Sequence, residues 1–395
     1  LTYTGSSGAD ATDSASTPAT RLRVLDSATE SDGANTSADT STNSTTELSS
    51  ESGIPDNSTC PELNTPRLNL TIEFNVTGHG QFSLYGLFQN IDFLYKFKFD
   101  SDFPELDSID NMFSGCTQLT TVEFGTWEFT NIVNVSFLFN GCVNLETVGF
   151  GPKPPFPKVK YMGGFFKGCK KVKKVNLSVF SFEYVVDMSD FFSQCESLET
   201  VELPQEAKIP NLLTMGSMFE GCIALGSINW PFIGGVKLEV LTNLFAGCAK
   251  LGSIDLGKFE CPNCKLLGGM FKGCGSIKKV DLSALKPVGV LDIEGLFEGC
   301  TSLEIASLAG FVLASGCKVK DAFNGCTSVE KLDFKGVTIP EDIKASDMFN
   351  DEKLDGVEID FSGANVTDDF EHFVEDNGGE VIESSNQING SGEPS

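Results

Sequence analysis

Apolar positions in this chain recur in blocks rather than at random. A phenylalanine stands at Phe88, Phe113, Phe139, Phe166, Phe192, Phe219, Phe245, Phe271, Phe297, Phe323 and Phe349, with spacings of 25, 26, 27, 26 and 27 residues and then 26 five times. Four and one positions before it come further apolar residues, as in Ile109 and Met112 or Met188 and Phe191. A spacing of three and four predicts one face of a short helix. Two residues after the Phe comes glycine, beginning with Gly115, Gly141 and Gly168 and replaced by Asn90, Gln194 and Asp351 in three blocks; it predicts a helix end in the left-handed conformation. Six, nine and eleven positions after the Phe come Leu119, Val122 and Phe124, then Leu145, Val148 and Phe150, then Val172, Val175 and Leu177. The last two of each set alternate, which predicts a short strand. A large residue fourteen positions on, Trp127, Phe180, Phe259, Leu285 or Phe311, is placed to seal a return loop.

A fixed period of this length means stacked coils, each burying its apolar face only against its neighbours. The expected fold is an α/β repeat: a solenoid of about 11 coils, each a short helix, a strand and a return loop, with a parallel sheet on one face and a cap at each end. The two 27-residue spacings carry prolines in their return loops (Pro152, Pro154, Pro155 and Pro157; Pro204 and Pro210), so those loops should be the irregular ones. Leu68, Leu70, Ile72 and Phe74 alternate as in a half-buried strand and mark an N-terminal cap; Phe373, Val381 and Ile382 mark a degraded last repeat. Residues 61–382 form the solenoid with its caps. Residues 1–60, rich in Ser, Thr, Asp and Ala, read as a disordered or extended acidic segment open to O-glycosylation, and 383–395 as a flexible acidic tail.

The run MFSGCTQLTTVEF at Met112 to Phe124 resembles the leucine-rich repeats of BspA-like surface proteins, as do NVSFLFNGCVNLETVGF at Asn134 to Phe150 and VVDMSDFFSQCESLETVEL at Val185 to Leu203. In that family a Met-Phe-x-Gly-Cys segment precedes Leu-x-x-Leu-x-Leu. The resemblance covers residues 83–360; Asn90 and Ile91 in the first unit and Asp351 and Glu352 in the last depart from it. It implies a leucine-rich-repeat solenoid, an extracellular or cell-surface location, a role in adhesion and binding, and no catalytic residue.

The formal charge of -27 argues against nucleic acid and anionic membrane surfaces as partners, since both attract clusters of Lys and Arg. No apolar run reaches the roughly 18 residues of a spanning helix, so no membrane span is expected. Opening at Leu1 without a signal pattern, the chain reads as a processed product. Export is indicated by candidate N-glycosylation sites at Asn35, Asn43, Asn57, Asn69, Asn75, Asn134, Asn176, Asn365 and Asn389, each in Asn-x-Ser/Thr.

Nine cysteines, Cys116, Cys142, Cys169, Cys195, Cys222, Cys248, Cys274, Cys300 and Cys326, follow their Phe by three. They should form a ladder with rungs about 4.8 Å apart. Parallel side chains in such a ladder do not converge to disulfide geometry, so buried free thiols acting as small apolar fillers are expected. Cys261 and Cys264, in a Cys-Pro-Asn-Cys loop, are the candidate disulfide. Cys60 and Cys317 lack a mate and are candidates for exposed thiols that join another chain.

Between the inward strand positions, ten residues past the Phe, lie Glu123, Asn176, Glu202, Asp255, Asp281 and Asp333, the candidate contact face for a cationic partner or calcium. Lys173, Lys174, Lys278, Lys279 and Lys331 stand beside them as compensating charges. The two histidines, His79 and His372, fall in opposite caps, and no phosphate loop, metal motif or nucleophile elbow is present, so neither a catalytic residue nor a cofactor is expected. The reading is a non-enzymatic secreted or surface-displayed leucine-rich-repeat glycoprotein acting through protein contacts, copies of itself included among its partners. The alternative is a structural subunit of an extracellular filament or sheath.

Overall fold

A computed structural model of the chain describes residues 82–99, 106–126, 129–350 and 354–382, with the backbone of two strands, Arg21–Asp26 and Leu68–Asn75. The coils stack into a solenoid with two parallel ladders. One is the expected strand face, where three-residue strands such as Thr121–Glu123 and Thr147–Gly149, or Lys279–Asp281, Ile305–Ser307 and Lys331–Asp333, pair in register from coil to coil. It thins at Ser227 and Ser253, which share a single bridge. Here Gly226 and Gly252 take the place of side-chain-bearing residues, and glycine weakens a strand. The second ladder is a column of bridges five residues before each Phe, running Ser108, Asn134, Tyr161, Asp187, Thr214, Val240, Leu266 and Asp292.

The segment between the ladders is not the helix that the apolar spacing predicts. It is a pair of tight turns in which successive N–H groups take alternate partners. In the Phe113 coil, Met112, Ser114 and Cys116 donate backwards to Ile109, Asn111 and Phe113, at 3.1, 3.0 and 3.0 Å. Asn111, Phe113 and Gly115 instead donate across to Ser136, Leu138 and Asn140 of the next coil, at 3.0, 3.0 and 2.7 Å. A helix would consume all of these donors internally and leave nothing to bind a neighbour. The turns are set by two left-handed residues four apart, Asn111 (φ 56°) and Gly115 (φ 75°), and the pair recurs through Asp321 and Gly325. Among the described residues, α-helices occur only at the end of the stack, and a single 3-10 turn, Ser283–Leu285, lies in a return loop. The last coil contains α1 (Ala345–Phe349), and α2 (Asp368–Asp376) follows it.

Within the solenoid the recurrent phenylalanines stand in file. Consecutive rings lie 5.4 to 5.7 Å apart from Phe88 to Phe349, most of them nearly parallel. Each such pair adds about 0.5–1.5 kcal/mol beyond its burial. Leu119, Val122 and Phe124 and their counterparts close the core from the strand side, and Phe180, Phe259, Leu285 and Phe311 are buried at the return loop, while Trp127 lies outside the described residues. Prolines in the 150s loop turn it inward: Pro155 accepts the Phe129 N–H at 2.8 Å, and Phe156 is buried beside Phe129. At the C-terminal end α2 lays Phe370 against Phe349 and Phe361, so its apolar face substitutes for a further coil. Thr367 caps it by accepting the Phe370 N–H at 3.3 Å, and Asp368, Asp369 and Glu371 suit the positive end of the helix. At the other end Arg21–Asp26 runs antiparallel along Leu68–Asn75, closing that strand edge. The rest of residues 1–60, and 383–395, lie outside the described residues.

The nine ladder thiols do more than fill space. Each Cys Sγ donates to the carbonyl of the Phe in the preceding coil, as in Cys142 to Phe113 at 3.0 Å and Cys222 to Phe192 at 3.2 Å. That carbonyl already accepts the N–H of its own coil's cysteine, Cys116 to Phe113 at 3.0 Å, and the thiol occupies its second lone pair. Burial pushes the thiols up, Cys116 to about 11 and Cys195 and Cys274 further.

Truncating one ring in mid-column, Phe219→Ala, should lower stability by about 3–5 kcal/mol in urea unfolding, because neighbours bonded on both sides cannot collapse into the gap. The raised thiols also give a pH dependence. Their contribution is intact below the unfolded thiol value of about 8.5 and is lost as pH rises from there toward the folded values, by up to about 1.4 kcal/mol per pH unit for each thiol. Unfolding midpoints measured above that pH should therefore fall, with a shallower slope in Cys222→Ala/Cys248→Ala.

Candidate recognition surface

On the strand face, outward side chains flank a buried central valine, as with Lys174 and Asn176 about Val175, Thr200 and Glu202 about Val201, and Lys279 and Asp281 about Val280. The candidate contact residues lie in one column there. Glu123, Asn176, Glu202, Asp255 and Asp281 are exposed, and Asp333 is half-buried. Four of them also have a structural task at the strand end. One side-chain oxygen of Asn176, Asp255, Asp281 and Asp333 accepts the N–H two residues on, from Ser178, Gly257, Ser283 and Lys335, at 2.9 to 3.1 Å. Asn176 additionally donates to Glu202 at 2.6 Å. Compensation runs from coil to coil: Lys278 pairs with Glu304 at 2.6 Å and Lys331 with Glu358. The hydrogen bond from Lys278 holds the Glu304 carboxyl below the usual carboxylate range.

The cysteines outside the ladder separate into three cases. Cys261 and Cys264 are paired in a buried loop with Cα atoms 5.4 Å apart. Cys317 is buried rather than exposed, and its thiol is pushed up to about 12 by desolvation, with Asp292 adding to the effect. It points at no second chain, because its strand, Val312–Lys318, turns that position inward. Cys60 lies outside the described residues. So do the acceptors Asn35, Asn43, Asn57 and Asn389, and of Asn69 and Asn75 only the backbone is described. Asn176 and Asn365 are exposed, whereas Asn134 is half-buried and its side chain accepts the Ser136 N–H at 3.0 Å.

Two features of the surface escape a reading of composition and period. The first is that most of the exposed large apolar side chains sit on the flank of the second ladder rather than on the strand face. Val133, Phe137, Tyr161, Tyr184 and Leu213 lie there in four successive coils, Tyr161 and Tyr184 being 44% and 49% exposed. Phe137 is unusual among them. It occupies the left-handed position (φ 57°) that other coils give to Gly, Asn, Asp or Ser, a conformation costing a bulky residue on the order of 1–3 kcal/mol. Its ring lies over Gly164, where any side chain would collide with it.

The second feature is a reversal of charge hidden inside the acidic total. Residues 147–182 carry eight lysines, Lys153, Lys158, Lys160, Lys167, Lys170, Lys171, Lys173 and Lys174, and no Asp or Glu. The next coil, 183–207, carries seven acids, Glu183, Asp187, Asp190, Glu196, Glu199, Glu202 and Glu206, and no base. Two pairs cross the boundary, Lys167 with Asp190 at 3.0 Å and Lys170 with Glu196 at 2.8 Å. A count of charge in windows of one period would have found this; the net charge averages it away.

Among the described residues no group of three or more His, Cys, Asp and Glu is placed to hold a metal ion, and no helix is long and apolar enough to cross a membrane. His372 is exposed on α2, and His79 lies outside the described residues.

No curated protein matches the chain. Among solved structures it is similar to a leucine-rich repeat protein from Bacteroides ovatus ATCC 8483, at 18% identity over 76% of this chain and 86% of that one, with a TM-score of 0.34. A leucine rich cell surface protein from Faecalibacterium prausnitzii A2-165 is 17% identical over 69% and 92% of the two chains, with a TM-score of 0.28. A leucine-rich repeat protein from Eubacterium ventriosum ATCC 27560 is 14% identical over 75% and 91%, with a TM-score of 0.30. The profile of one family matches residues 107–230 and 235–353, the segment built from the Phe-x-Gly-Cys coils. The chain therefore belongs to the family described as "Mycoplasma protein of unknown function, DUF285".

Proposed function

We propose that this protein is a non-enzymatic recognition module of the extracellular space or cell surface, acting through protein contacts such as adhesion. The observation that carries the reading is the strand face, a long regular surface whose outward residues vary in charge from coil to coil while the inward ones are fixed as apolar. Asp255 and Asp281 each use one oxygen to close their turn, which holds the other in a set position for a cationic group on a partner. The sequons support export, and the Cys261–Cys264 pairing supports an oxidising compartment. The caps favour recognition over a filament subunit, since α2 covers one end of the stack and an antiparallel strand closes the other.

Binding of the labelled chain to intact cells, before and after protease shaving of their surface proteins, tests the module. Shaving should abolish it. Replacing Glu202, Asp255 and Asp281 together by Gln, Asn and Asn keeps the acceptor oxygens that close the turns, so folding should be unaffected while binding falls at least about tenfold, the effect of losing about 1.4 kcal/mol. Undiminished binding by the triple variant would remove this face from the account. Peptide mapping of protein secreted by its native cell, without reduction, should recover Cys261 and Cys264 as an oxidised pair and glycans on Asn176 and Asn365. Free thiols and bare acceptors would place the protein in a reducing compartment instead.

A further inference from the structure

The flank of the second ladder is complementary to itself. The geometry points to a two-fold homodimer through this flank, its axis lying in the face and passing between the coils of Phe166 and Phe192, so that the basic coil of each copy meets the acidic coil of the other.

The column six residues before each Phe is held rigid by the backbone. Lys160 and Tyr161 donate to the Val133 carbonyl, Val186 and Asp187 to that of Lys160, and Leu213 to that of Val186. Side chains there keep fixed places. A two-fold axis between the second and third of these four coils brings the outer pair together, Val133 of one copy against Leu213 of the other, both exposed apolar residues. The same operation sets Lys160 over Asp187, and Lys158 over Tyr184 and Glu183, each contact occurring twice. Phe137, held in its left-handed turn, borders the Val133–Leu213 contact and adds an aromatic anchor to it.

Charge selects a second copy over other occupants. Among the described residues neither Lys158 nor Lys160 takes part in an ion pair, and neither does Glu183. An elongated polyanion lying along the basic coil would run beside seven acidic side chains of the next one. A copy turned by the two-fold axis matches both coils at once. At physiological ionic strength, charges more than about 8 Å apart are largely screened, so the local match outweighs the repulsion between two acidic molecules. The inference does not depend on the strand face, and either can fail alone.

Sedimentation velocity of the full chain, expressed in bacteria and so free of glycans, tests it at micromolar concentrations. The wild type should sediment at twice the mass of one chain. Leu213→Asp should be monomeric, and so should Lys158→Glu and Glu183→Lys separately, with unchanged circular-dichroism spectra because all three side chains are exposed in the single chain. Mixing Lys158→Glu with Glu183→Lys restores an attractive pair at both junctions, so a dimer should reappear. A monomeric wild type, a dimer indifferent to these substitutions, or failure of the mixture to associate would overturn the proposal. Retention of a monomeric wild type on heparin, lost in Lys158→Glu/Lys160→Glu, would assign the basic coil to a polyanion instead. A glycan on Asn134 in native dimeric protein would also exclude this flank, because the sugar would stand beside Val133.

Discussion

What the whole molecule depends on is how each coil divides its backbone donors. In the turns around each Phe, every second N–H closes the coil on itself and the others bind the next coil, so local shape and stacking draw on a single set of groups. Neither half can be strengthened without weakening the other. A helix would satisfy the coil and isolate it; a continuous strand would bind neighbours but could not turn the chain within so few residues. Two left-handed residues four positions apart enforce the compromise, and where no successor coil has to be bound, in the last repeat, the turns give way to α1.

The side chains follow from that backbone. Coils locked in register place each Phe on the next, and the ring file fills the interior at a spacing the ladders impose. The turn leaves one lone pair of each Phe carbonyl unused, and the cysteine of the following coil supplies a donor to it. A thiol is well matched to this place, small enough for the gap and costing little to bury, with a weak hydrogen to donate. Because stability is a sum over neighbouring coils, surface positions change freely from one coil to the next. That freedom allows a basic coil to lie beside an acidic one without disturbing the core.

Much of this was legible in the residues. The recurrence from Phe88 to Phe349 gave the coils, the ring file and the strands at Val122, Val148 and Val175, since burial at fixed intervals is what such a period means. The short helix was misread for a physical reason: Ile109, Met112 and Phe113 face the core in two successive turns just as they would on a helix, so apolar spacing cannot separate the two. The signal that separates them is at Asn111, Asp190, Ser217 and Asn243, polar residues tolerant of the left-handed conformation, but Phe137 at the same position blurs it. The period places Asn176, Asp255, Asp281 and Asp333 in one column of the strand face, yet their role in closing strand ends was hidden because Asn, Asp and Glu read alike as solvated groups. Cys317 looked unpaired and therefore accessible; only the path of Val312–Lys318 shows that it faces inward. The apolar flank was missed because single exposed residues such as Val133 and Leu213 become a surface only once the second ladder stacks them.

The most direct test of the donor division is scalar coupling across hydrogen bonds in the perdeuterated, isotope-labelled protein. The amide nitrogen of Phe219 should couple to the carbonyl carbon of Leu244 in the next coil, its acceptor at 2.9 Å, and that of Cys222 to the carbonyl carbon of Phe219 in its own. Coupling of Phe219 to the carbonyl of Met215, the partner it would have in an α-helix, would contradict the account.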